Sequence, residues 1–551
     1  MGDHVDPYRL YLYYPQAHLD AVATDDPQSL ADYYGEEEGA AVKGELGRLF
    51  GAFRTQILYG RRHYAPSASW RDEMTTHTNG VPMPQRFVVR VHLFENRGEQ
   101  AGRYLGFVSL RPPGTTRASR PGALTAEHAL RYVIDAELGI PAYMQRPRYH
   151  VLTTTAASAR LGVLPFRSAV YSAAGLSERR GSACVHLAVS QALHLIMGRF
   201  GCRPISQIEF DWYLWKAAKE EMSIGAMGQR GARLSEALTV IRSSCNGGGF
   251  QVTVEPREEP KRGLSVRERG LASRFLTDAL ACGLPVIALV RAGNLLAPEA
   301  RAGIPEAQLN TPHAVLVLGM HLLHCHEEIQ GSPEPWDDRE DLAELPGRLI
   351  IHDTLSRGPY FECMISDFLD AAEATYQGDA QAVGSTGVHM LVVGPERMEM
   401  GHHQARDYAE HNLRLMLRMV SAASADRDIA ALVNYLTVAG VPLEAATNTS
   451  DWRLICRLLS TPEVKARYEG QPEMQESCGR FCDLASSYFW VLELRHPHAR
   501  RVMSNGHVHC PADLSPAMVF VWDCRIPPLQ GGYRAASPSM ILRYHPSAPL
   551  P

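Results

Sequence analysis

No apolar run in this 551-residue chain approaches the ~20 residues that a membrane-crossing helix needs. The amino terminus, Met1-Gly2-Asp3-His4-Val5-Asp6, has neither the basic nor the apolar stretch of a secretory signal, and Asp6 stands where a myristoylation motif at Gly2 needs Ser or Thr. The chain therefore reads as cytoplasmic, without a membrane partner. Charge of one sign is scarce: a net charge of -5 is too small to drive binding to nucleic acid, and none is expected as a partner. Cysteine is sparse and unpaired in pattern, with 11 residues dispersed without a framework, which predicts free thiols rather than disulfides. Metal-ligating types cluster at His321, His324, Cys325 and His326 and again at His402-His403, but no second paired half completes a tetrahedral set, so no metal is expected. Gly247-Gly248-Gly249 lacks the Lys-Ser/Thr of a phosphate loop and reads as a flexible turn before Phe250. Internal repeats and low-complexity tracts are also missing.

What is present is an ordinary globular composition, 45% hydrophobic and 21% charged, on a chain too long for one core, so two to four domains are expected. Residues 1–150 read as an α/β accessory region: a helix over about Glu36 to Leu58, strands at Arg86 to Leu93 and Tyr104 to Leu110, a loop from Pro112 to Pro121, and a helix-compatible stretch from Ala126 to Leu138. Residues 151–395 form the central region. An apolar helix follows Cys184, a second helix runs from Arg267 to Cys282 and stops at Gly283, and strands are expected at Gln251 to Glu255, Val286 to Val290, Ala314 to Leu318, Leu349 to His352 and Val388 to Val393. Residues 396–551 read as a second accessory region, with helices at Asp407 to Ser424 and Asp426 to Ala439, strands at Tyr488 to Leu494 and Met518 to Trp522, and a poorly ordered tail from Pro527.

The chemistry-bearing residues lie in the central region. Cys184 opens a helix that is apolar nearly all round (Val185, Leu187, Val189, Leu193, Leu195, Ile196, Met197), with Gly181 and Ser182 as cap-like residues before it. A helix amino terminus stabilises negative charge and so favours the thiolate, the reactive form. His313 precedes the strand Ala314 to Leu318 and supplies a base; Asp353 ends the strand Leu349 to His352 and supplies the group that fixes the ring's tautomer. Its neighbour His352 should point to the opposite face of the strand and is not the expected base. Between the two strands lies a polar insertion, Glu327 to Arg348, placed to act as a loop or lid. Each residue alone has a plainer reading: a free cysteine on an apolar helix is usually core, a histidine beside Pro312 an edge residue, and Asp353 a turn acid. Their combination in matching contexts favours catalysis. Cys478 and Cys482 fit core packing, and the run from Arg495 to Arg501 a solvated loop.

The Cys-helix, the His followed by Ala314-Val315, and His352-Asp353 ahead of Arg357-Gly358-Pro359-Tyr360-Phe361 resemble papain-like cysteine peptidases of the bacteriocin-leader-processing, double-glycine-peptidase-like branch, whose order is Cys, His, Asp. The resemblance covers about 165–395; Tyr104 to Pro112 and Tyr488 to Leu494 look like flanking segments of larger bacterial proteins that carry such a core. It implies an α+β fold with a central buried helix on an antiparallel sheet, a peptide or protein substrate, and no metal or organic cofactor. The family places a Gln a few residues before the nucleophile as oxyanion donor, whereas Gly175 to Arg180 contains none; Ser177 is the candidate replacement, beside the backbone N–H of Cys184. Losing one donor costs about 10²–10³ in rate, which leaves a slower enzyme possible in principle and a peptide-binding, inactive scaffold as the alternative. The same three residues would also serve transglutaminase or deamidase chemistry at a Gln side chain.

Overall fold

The computed structural model describes residues 34–49, 57–66, 87–97, 100–110, 132–141, 150–152, 155–156, 167–172, 183–203, 205, 207–217, 232–255, 263–296, 301, 309, 312–321, 347–354, 358–377, 387–398, 401–421, 453–467, 488–495, 518–524 and 540–543. Helix α1 (Glu36–Leu49) precedes an antiparallel sheet made of β1 (Ile57–Pro66), β2 (Phe87–Arg97), β3 (Gln100–Leu110), β4 (Val133–Gly139), β6 (Thr155–Ala156) and β7 (Arg167–Ser172), in the order β1-β2-β3-β4-β7-β6. Two expectations change here. The first helix stops at Leu49, because Ile57, Leu58 and Tyr59 are taken up by pairing with Glu95, Phe94 and Leu93 of β2. The stretch expected as helix up to Leu138 is strand β4 in its described part. Its pairing with β3 shifts register between Ser109, opposite Asp135, and Leu110, opposite Val133, and Val133, Ala136 and Leu138 are buried. This sheet also runs past the expected boundary at about 150, to Ser172.

The apolar helix is α2 (Ala183–Phe200). It packs on β6 and β7 on one side and on β9 (Val286–Arg291), β10 (Pro312–His321) and β13 (Val388–Gly394) on another, which is why hydrophobic side chains occupy nearly its whole circumference. Val185, Ala188, Val189, Ala192, Leu193, Leu195 and Ile196 are all buried, and each such Val, Leu or Ile contributes about 1.5–3 kcal/mol. The second sheet is antiparallel in every described pairing: β12 (Gly358–Met364), β11 (Arg348–Asp353), β10, β9, β13 and β8 (Gly248–Val254) lie in that order, and β5 (His150–Leu152) pairs with the far end of β10. Helices α3 (Gln207–Ala217) and α4 (Leu234–Ser244) pack on each other, α5 (Val266–Ala281) leads through Gly283 at φ 74° into β9, and α6 (Ile365–Gln377) covers β9.

Gly248 and Gly249 are not a loose turn but the start of β8. A Cβ on Gly249 would sit 2.1 Å from the carbonyl oxygen of Val392, so only glycine lets the two strands meet in this register. Gly249→Ala is expected to destabilise by about 1–3 kcal/mol through overpacking, read as a lower denaturant midpoint with an unchanged slope.

By its contacts the chain forms two units: 1–280, 284–327 and 341–396 in one, and 281–283, 328–340 and 397–551 in the other. Both sheets described above belong to the first. The second holds α7 (His402–Ser421), α8 (Thr461–Arg467) and an antiparallel sheet β14-β15-β16-β17 formed by Arg453–Ser460, Tyr488–Arg495, Met518–Asp523 and Met540–Arg543. Part of the expected tail is therefore a strand: Met540, Ile541 and Leu542 pair with β16. The helix expected over Asp426 to Ala439 lies outside the described residues. Among the described residues no helix is long and apolar enough to cross a membrane. The protein is thus a mixed α+β chain built on antiparallel sheets.

Candidate active site

Cys184 sits in the first turn of α2, where backbone N–H groups have no partner within the helix. His313 opens β10 and Asp353 closes β11, neighbouring antiparallel strands. Register brings them together: Leu316 pairs with His352, so the start of β10 and the end of β11 reach the same end of the sheet. There His313 Nε2 donates to Asp353 Oδ1 at 2.9 Å, with both residues buried. The same ring also interacts with the Cys184 side chain, each stabilising the charged form of the other. Cys184 is half-buried, so the nucleophile keeps some access to solvent.

Burial opposes charge on both members of this pair, and the local contacts outweigh it. For Cys184, burial pushes the thiol up, but the hydrogen bond and charge of His313, together with the backbone N–H groups of Ala314 and Val185, hold it below its ordinary value. For His313, burial pushes the ring down, yet the Asp353 hydrogen bond, the Cys184 contact and the two negative charges raise it to about 10. These contacts favour the thiolate–imidazolium form of the pair over the neutral one. An ordinary thiol loses reactivity tenfold per pH unit below about 8.5. Alkylation of Cys184 by iodoacetamide is instead expected to fall off at a lower pH than that of an ordinary thiol. Cys202, pushed up to about 12 mainly by burial, and Cys245, also raised by burial, should remain unlabelled in the folded protein. Peptide mapping of labelled protein across pH checks both parts.

His352 follows the alternation of the strand away from Asp353. Its Nδ1 lies 3.1 Å from Oε1 of Gln191, two turns along α2 from Cys184, and its ring stands edge-on to Tyr360, centroids 5.0 Å apart. Tyr360 donates its hydroxyl to the Leu138 carbonyl at 2.8 Å, and its backbone holds φ 55°, a left-handed conformation that costs a bulky residue about 1–2 kcal/mol. Sequence reasoning passed over Gln191 and Tyr360. The available signal was Gln191 itself, a buried amide on a helix that is mostly apolar.

Ser177, the candidate oxyanion donor, and the cap-like Gly181 and Ser182 lie outside the described residues, as do the greater part of the insertion and His324, Cys325 and His326. Among the described residues no group of three or more His, Cys, Asp or Glu side chains is arranged to hold a metal ion. His402 is buried against Trp490, ring centroids 6.2 Å apart, and burial with the neighbouring His402 drives the partly buried His403 down to about 3. Comparison with protein-family models, with curated proteins and with solved structures finds no match to this chain.

Proposed function

We propose that this chain is a papain-like cysteine hydrolase that cleaves a peptide or isopeptide bond through Cys184, His313 and Asp353. The observation that carries the reading is one continuous line of contacts: Cys184 at a helix amino terminus, His313 on its sulfur, and Asp353 on the far nitrogen of the same ring. Structural ion pairs rarely bring a half-exposed thiol, a buried imidazole and a buried carboxylate into that order. A cysteine at the head of a central helix, with His and Asp on adjoining antiparallel strands, is also the arrangement that the papain-like resemblance implies.

The steps follow from the geometry. The Cys184 thiolate attacks the carbonyl carbon and forms the S–C bond, while the oxyanion takes up the backbone N–H groups at the start of α2. His313 then gives its proton to the departing nitrogen as the C–N bond breaks, leaving a thioester. Water attacks that thioester, His313 accepts its proton, and the acid product leaves. Throughout, Asp353 keeps Nε2 protonated and the ring aimed at the sulfur.

The acyl-enzyme could be resolved by an amine instead of water, or formed from a Gln side chain. Intact-mass analysis of candidate peptides separates the outcomes: hydrolysis splits the chain or frees the branch, deamidation adds about one dalton, and cross-linking joins two substrates. Backbone or isopeptide cleavage that disappears in Cys184→Ala supports the proposal; a modified Gln with the backbone intact replaces it with acyl transfer.

A further inference from the structure

The site described above leaves a second buried polar group of residues unused, and it lies on the helix that carries Cys184 and the strand that carries Asp353. Gln191 belongs to α2, which bears Cys184; His352 is the strand neighbour of Asp353; Tyr360 lies two residues beyond Gly358, the cross-strand partner of Asp353. Leu138, whose carbonyl accepts the Tyr360 hydroxyl, is in β4 of the first sheet. All four residues are within one unit of the chain. Gln191, His352 and Tyr360 are buried at 1%, 0% and 0% exposure, where a polar contact is kept only if its partners are held in place. Tyr360 also retains its left-handed backbone within this segment, the sort of outlier that surrounding contacts must over-determine.

We infer that Gln191, His352 and Tyr360 form a brace that ties the first sheet to helix α2 and fixes the direction of Asp353 toward His313. The residues are positioning residues, since they act through Asp353, and their role rests on the hydrolase reading above. Adjacent strand residues are rigidly coupled in orientation: holding the His352 ring between Gln191 and Tyr360 sets the rotation of β11 about its axis and so the aim of the Asp353 carboxylate. An error of about 1 Å in such a group can lower a rate by about 10²-fold. The first sheet thereby becomes part of the catalytic machinery through one hydroxyl, rather than an appendage to it.

The brace can be tested without knowing the substrate. Tyr360→Phe deletes one oxygen and keeps the ring on His352; His352→Leu removes the contact to Gln191, while His352→Asn restores an N–H near the position of Nδ1. The readout is the pH midpoint of Cys184 alkylation in the full chain, with thermal unfolding recorded beside it. Tyr360→Phe and His352→Leu are expected to move the midpoint upward by about one pH unit, a tenfold loss of thiolate at a fixed pH below it, with His352→Asn recovering most of the shift. Loss of thermal stability with an unmoved midpoint in both variants would mean a packing role only and overturns the brace. A depressed wild-type midpoint without turnover of any peptide removes the hydrolase reading and leaves the brace standing or falling on the variants. An ordinary wild-type midpoint overturns both.

Discussion

Replacing Cys184 with alanine is expected to reduce hydrolysis by about 10⁴–10⁶-fold while leaving the fold intact. The size of the effect follows from what the sulfur does. In the proposed hydrolysis it is the atom that bonds to the substrate carbon; it is held at a helix amino terminus, and its charge is stabilised by His313, Ala314 and Val185 together. Nothing else among the described residues offers a thiol on that ring: Cys202 and Cys245 are buried and have raised thiol pKa values. Cys184→Ser should fare little better, because a hydroxyl in the same place does not ionise at neutral pH and the charged pair is lost. Circular dichroism and thermal unfolding should match the wild type closely, since a half-buried side chain at the helix head adds little to the core. Retention of more than a tenth of the wild-type rate by Cys184→Ala would place the chemistry elsewhere.

The second large effect belongs to Asp353. Asp353→Asn preserves shape and removes the charge that, with the hydrogen bond, raises His313 against the pull of burial. The sign can be worked through from the contacts. Without the carboxylate the imidazolium is less stable, the ring loses its proton at a lower pH, and the thiolate beside it loses the positive charge that kept its value depressed. The amide can also present its N–H to Nε2 and so favour the wrong tautomer. A fall in kcat/KM of about 10²–10⁴-fold is expected, along with an upward shift of the acid limb of the rate profile. Steady-state kinetics over pH 5–9 provides the check; an unchanged acid limb would show that Asp353 does not govern the pair.

The three proposed reacting residues were easy to place because each one is attached to an element with a strong apolar signature. Cys184 heads a helix that is apolar over most of its surface, and His313 and Asp353 border strands, Ala314 to Leu318 and Leu349 to Ile351, whose side chains are buried. Period and composition alone therefore place them. What period cannot express is which side chain meets which. The Gln191–His352 contact spans 161 residues and the Tyr360–Leu138 contact 222, and both are set by how sheets and helix stack rather than by any local pattern. Strand β4 is set by long-range pairing with β3 and β7, which local composition does not express, and the start of β8 was disguised because its first residues are glycines, where a close interstrand approach rather than a turn is what requires them. The four-residue strand Met540–Arg543 was hidden in a stretch dominated by Pro, Ser and Gly. The first sheet continues past residue 150 to Ser172, and its strands β6 and β7 pack on α2.

The most direct test of the central claim is the protonation state of one imidazole. In protein labelled with ¹⁵N at histidine, the resonances of His313, assigned by comparison with His313→Gln, report whether each ring nitrogen carries a proton. With Cys184 present, His313 should be doubly protonated at pH 8, well above the ordinary histidine range near 6.5 and below its raised value of about 10, and Cys184→Ala should lower the pH at which that second proton is lost. A His313 that is neutral at pH 8 and titrates near 6.5 whether or not the sulfur is there would contradict the account.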